Sequence, residues 1–141
     1  MTPISRTRKS QKGSAIVESA FIFIVFTALL IGAFDFGQFL FIHQALVERA
    51  RYAARWGMTN SGATTAEITN MMLYGQSTAG SNGYFGLTSS MVTVTFSNAN
   101  TWNWYVSISV HDYPYKVLSP YIAGTYTGPN IYVSVPLGLY D

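Results

Sequence analysis

The residues able to do chemistry in this chain are few, and most of them are carboxylates in unexpected places. Glu18 is the one charge inside the apolar run Ala15–Phe34, AIVESAFIFIVFTALLIGAF. Asp35 closes that run. An intramembrane carboxylate is costly to bury and is a functional candidate by default. Asp35 lies 17 residues beyond Glu18, about 25 Å along a helix, and reads as a boundary marker. Other chemistry is poorly supported. There is no cysteine, hence no disulfide, thiolate metal cage or cysteine nucleophile. His43 and His111 have no third ligand at zinc spacing. His111-Asp112 reads as a polar strand end. Gly80 to Gly86 is not a phosphate loop, because no Lys-Ser/Thr follows. Trp102, Trp104, Tyr113, Tyr115 and Tyr121 can form an aromatic binding surface, but core and subunit packing are the favoured roles. No catalytic residue, cofactor or metal is expected.

The element that positions Glu18 must be a membrane helix. Ala15–Phe34 is 20 residues long, which at ~1.5 Å per residue matches the ~30 Å core of a bilayer. It is apolar on all sides, unlike a soluble amphipathic helix. Before it stands a basic leader, residues 1–13, holding Arg6, Arg8, Lys9 and Lys12 and no acid. The positive-inside rule puts that leader in the cytoplasm, although Arg49, Arg51 and Arg55 follow the other end of the run. A signal peptidase site at Ile31-Gly32-Ala33 competes with this reading. Ile at its first position and the length of the apolar stretch weigh against it.

The helical pattern continues past Asp35. Phe39, Ile42, Leu46, Ala50 and Ala53 recur at spacings of three and four and form an apolar stripe. Gln44, Glu48, Arg51 and Arg55 occupy another face. The expected object is one helix over 14–57, transmembrane at about 15–35, with Gly57 as its stop. Its outer stripe must be buried on this chain's own C-terminal domain, on other subunits, or on both.

From Gly13 onward the chain has four bases and six acids, so no basic surface tracks a nucleic acid. Residues 58–141 carry only Glu67, Asp112, Lys116 and Asp141 as charges. Their Tyr, Ser, Thr and Asn composition suits an extracytoplasmic, packing surface. Thr64-Thr65-Ala66-Glu67 predicts a capping box opening a short helix over 65–74 that faces Ile68, Met71 and Met72 inward and ends at Gly75. Alternation predicts strands at 92–96, 105–110 and 131–135, the first two joined by a hairpin loop at 97–103. Pro114, Pro120 and Gly128-Pro129 are breakers. The fold class is α+β, a long helix packed on a small antiparallel sheet.

Two resemblances sharpen this. Lys12-Gly13-Ser14-Ala15-Ile16-Val17-Glu18 resembles a type IV prepilin amino terminus. The wider set adds Ser19-Ala20, Asp35-Phe36-Gly37, Gln44-Ala45-Leu46 and Ala50-Arg51-Tyr52-Ala53-Ala54-Arg55. It resembles the TadE-like proteins, pseudopilins of the tight-adherence (Flp) pilus machinery, over about residues 12–57. Ser14 and Ser19 depart from the aromatic residues common at those places. The resemblance implies a pilin-like fold, cleavage between Gly13 and Ser14 by a prepilin peptidase, and a role for Glu18 in assembly. The implied partners are the membrane, that peptidase, and other pilin or pseudopilin subunits or copies of this chain. The implied location is the inner membrane, single pass, with the C-terminal domain outside, in or at the base of a pilus. The remaining alternative is an uncleaved single-pass protein with an external binding module.

Overall fold

The computed structural model describes residues 11–97, 105–117 and 125–136. Most of the basic leader, most of the predicted hairpin loop, and Trp102, Trp104, Pro120 and Tyr121 lie outside the described residues.

Helix α1, Gln11–Thr59, has 49 residues and is about 74 Å long. It begins three residues before the expected start and runs past Gly57, the expected stop. The reason is packing. A Cβ on Gly57 would lie 2.4 Å from Ile68 Cδ1, so glycine here admits a neighbour rather than turning the chain. The turn comes later, where the Asn60 side-chain amide donates to the Trp56 carbonyl and Gly62 takes φ +91°.

Helix α2, Thr65–Tyr74, keeps the expected boundaries. The Glu67 backbone N–H donates to Thr64 Oγ1, and the Thr64 backbone N–H donates to the Glu67 carboxylate at 2.8 Å. Gly75 ends the helix in the left-handed region at φ +76°. Ile68, Met71, Met72 and Leu73 are buried. The segment after it holds two short 3-10 turns, Tyr84–Gly86 and Ser89–Met91.

Strands β1 (Val92–Ser97), β2 (Tyr105–Val110) and β5 (Ile131–Pro136) form an antiparallel sheet in the order β1-β2-β5. The register pairs Val94 with Ile108 and Ile108 with Val133. One face therefore gathers Val92, Val94, Val106, Ile108, Val110, Ile131 and Val133 for the core. The other carries Thr93, Thr95, Ser107, Ser109, Tyr132 and Ser134. Helix α1 lies against β5 and β2, and α2 lies against α1 and β1. This is the α+β arrangement expected.

A second sheet was not foreseen. Strands β3 (Pro114–Lys116) and β4 (Thr125–Thr127) pair antiparallel. Each has three residues, too short to show alternation, and Pro114 reads locally as a breaker. The pair is held by packing on Tyr115, which is 4% exposed. A Cβ on Gly128 would lie 2.1 Å from that ring.

Candidate functional site

The chemistry-bearing residues fall into two groups on α1. Gly13, Ser14 and Glu18 lie near its start. Phe39, Ile42, Leu46, Ala50 and Ala53 lie in its outer half. Between Glu18 and Phe39 the helix rises about 32 Å, so the two groups act separately.

The inner group sits on a bare helix. Gly13, Ser14 and Glu18 are all exposed, and Ser14 and Glu18, four residues apart, share a face about 6 Å apart along the axis. Its own helix backbone aside, none of the described residues comes within 4 Å of where a Cβ on Gly13 would stand. The surrounding surface is apolar. Ile16 and Val17 are each 71% exposed and Phe21 is 67% exposed. Two hydroxyls in this stretch are satisfied by their own helix: Ser19 Oγ donates to the Ala15 carbonyl and Thr27 Oγ1 to the Phe23 carbonyl, both at 2.8 Å. Such bonding leaves these hydroxyls independent of water for a partner. Glu18 is different: among the described residues none forms a hydrogen bond or ion pair with it.

Helix α1 is long and apolar enough to cross a membrane, and its most apolar window has no buried residue. The exposed large apolar side chains of the protein crowd into it, with Phe23, Phe26, Leu29 and Phe34 all at 60% or more. An apolar surface of that extent is not left to water in a folded domain.

The outer group is buried on the chain's own domain. Leu46, Ala50 and Ala53 are 0% exposed, and Phe39 and Ile42 pack at the margin of the same core. Ala54, outside the predicted stripe, is equally buried. The polar face is solvated, and Arg51 Nη1 donates to Glu48 Oε1 at 2.8 Å. Such an exposed pair stabilises by only a few tenths of a kcal/mol.

The contacts that lock this half to the domain draw on side chains that, Phe39 excepted, lie outside the predicted stripe. Arg49 Nε donates to the Met72 carbonyl at 2.8 Å, and its guanidinium lies 4.1 Å from the Tyr84 ring centre. Only its place three residues after Leu46 hinted that it edges the stripe. His43 Nδ1 lies 3.1 Å from the Tyr115 hydroxyl. Phe39 packs on Tyr115 with ring centres 4.6 Å apart, and Tyr113 on Tyr115 at 4.8 Å. Burial raises the Tyr113 hydroxyl above its ordinary pKa, and burial followed by the neighbouring Tyr113 raises Tyr115. Tyr113 and Tyr115 thus belong to the core rather than to a binding surface.

The remaining histidine sits at the end of β2. His111 Nδ1 lies 3.1 Å from Asp112 Oδ2, and Asp112 is 80% exposed. Among the described residues, no three His, Cys, Asp or Glu side chains gather as a metal site would require.

No curated protein and no solved structure matches the chain. A family model does, over residues 13–55, and its description is TadE-like protein. The match takes in Gly13, Ser14, Glu18 and the whole apolar stripe of the outer half. That family is pilus-associated rather than enzymatic. Over residues 13–55 this chain is similar to the TadE-like family.

Proposed function

We propose that the protein is a pseudopilin-like subunit, inserted in the inner membrane by α1 with its head outside and acting through helix packing in pilus assembly, adhesion or secretion. The observation that carries this reading is the division of α1. One half is apolar and uncovered, the other half is seated on an α+β head, and one unbroken helix joins them. A simple anchor needs about 20 residues; α1 has 49.

In this reading a prepilin peptidase cuts between Gly13 and Ser14 and frees an amine on Ser14. The bond lies in the first turns of α1, so cleavage follows local unwinding of an end that packs on none of the described residues. Glu18, without a partner among the described residues, receives the amine of a neighbouring subunit. Opposite charges attract strongly where water is scarce. A carboxylate left unpaired in an apolar setting is costly, so subunits settle in the register that pairs it. Gly32 and Gly37, both with open space where a Cβ would stand, let neighbouring helices approach.

The test is a Glu18→Ala chain expressed in cells that lack the wild-type subunit. The altered protein is expected in the membrane fraction and absent from sheared surface filaments. Equal recovery of wild type and Glu18→Ala in the filament fraction would falsify the assembly role.

A further inference from the structure

Phe85 is held in an unusual way for a surface residue. Its backbone has φ 53° and ψ 25°, a left-handed conformation uncommon for any residue but glycine and asparagine. The Tyr113 hydroxyl donates to its carbonyl at 2.7 Å, and Tyr113 is itself 7% exposed. A buried tyrosine therefore fixes a turn whose effect is to display an aromatic ring. Phe85 is 40% exposed. It stands edge-on to Phe41 of α1, with centres 6.1 Å apart and planes at 88°, and edge-on to Tyr84.

The height of the pair along α1 is informative. Phe41 is six residues past Asp35, about 9 Å along the axis. Helical side chains lean back toward the helix start, which lowers the ring by several ångströms. The headgroup region extends about 5–8 Å beyond the hydrocarbon core on each side, so the two rings fall at that level. Aromatic residues favour this layer.

The surface between the span and the rings is continuous and apolar. A shallow groove lined by Ala33, Phe34, Gly37, Gln38 and Phe41 runs from the end of the span up to Phe41, which is 65% exposed. The loop that carries Phe85 brings no charge with it, since nothing between Glu67 and Asp112 is ionisable as Asp, Glu, Lys or Arg. Desolvating a charge is what ordinarily keeps a surface loop off the interface.

We propose that Phe41 and Phe85 form an aromatic foot on which the head rests against the lipid headgroup layer at the outer end of the span. Because the outer half of α1 is locked to the head, the foot sets how head and helix together stand on the membrane plane before assembly. It rests on the membrane-spanning reading above, and the experiment separates the two.

The chain has no cysteine, so single nitroxide labels are placed cleanly. The full-length protein is reconstituted in vesicles of phosphatidylethanolamine and phosphatidylglycerol at 3:1, with one label at Phe85→Cys, Phe41→Cys, Tyr132→Cys or Leu30→Cys. Collision rates with oxygen, which enters lipid, and with a water-soluble nickel chelate are compared. All four side chains are at least 40% exposed, and thermal unfolding checks that each labelled head is folded. The expected oxygen-to-nickel ratio at 85 and at 41 is at least threefold that at 132, on the outer sheet face, and below that at 30. A ratio at 85 equal to that at 132, with 30 still lipid-like, overturns the foot and leaves the span intact. Shielding of 85 from both reagents that grows with protein-to-lipid ratio also overturns it, in favour of a second copy. An aqueous ratio at 30 removes the span and the foot together.

Discussion

Gly57 and Ile68 occupy space that only one of them can fill. A Cβ on Gly57 would approach Ile68 Cγ1 to 2.7 Å, and Ile68 is 0% exposed, with no room to retreat. This contact sets how closely α2 lies on α1, and so where both lie on the sheet.

The consequence is a substitution whose sign opposes helix propensity. Alanine is favoured over glycine inside a helix by up to about 1 kcal/mol. Overpacking a buried contact costs about 1–3 kcal/mol. Gly57→Ala is expected to lose roughly 1 kcal/mol of head stability, read by denaturant unfolding in detergent micelles. In a double-mutant cycle, Ile68→Val is expected to recover part of that loss. Strictly additive effects would mean the contact is not tight.

Glycine 57 also marks what local pattern conveys and what it does not. Helix α2 was legible to the residue because Thr64, Glu67 and Gly75 each act within one turn of their position. The three longer strands were legible because alternation is local too. A glycine near a helix end reads the same whether it serves φ or clearance, and only the partner eleven residues on decides. Strands β3 and β4 escaped for a related reason. Tyr115, which anchors them, finds His43 across 72 residues. In the candidate site, the TadE-like motifs and the buried stripe were readable, while Arg49 and the left-handed Phe85 depend on tertiary neighbours.

Arg49 gives a second prediction. It joins three elements through one planar group, donating to the Met72 carbonyl and covering the Tyr84 ring. A hydrogen bond from a charged donor contributes about 1.5–3 kcal/mol, and an exposed cation–π contact about 0.5–1 kcal/mol. Arg49→Ala is expected to destabilise the head by about 2–3 kcal/mol. Arg49→Lys restores less than half, because an ammonium lacks the fork that serves both contacts. Arg51→Ala, on the solvated face, stays within about 0.5 kcal/mol. Equal losses at 49 and 51 would contradict the assignment.

The capping box supplies a pH dependence. The Thr64 backbone N–H and then its hydroxyl hold the Glu67 carboxyl below its ordinary pKa. A depressed carboxylate contributes stability above its unfolded pKa and loses it as pH falls through the folded value. Glu67→Gln is therefore expected to be less stable than wild type at pH 7. The difference shrinks as pH falls below about 4, as thermal unfolding followed by circular dichroism would record. Thr64→Ala removes the cap itself and costs about 1 kcal/mol at neutral pH. A Glu67→Gln difference that persists unchanged at pH 3 would show that the carboxylate's charge is not the source.

The most direct measurement is the amino-terminal residue of the protein recovered from its native membrane. If the leader is removed so that the new amine can meet Glu18 of a neighbour, sequencing begins at Ser14. A chain still beginning at Met1 would contradict processing and leave α1 as an ordinary anchor. One beginning at Phe34 would contradict the membrane span itself.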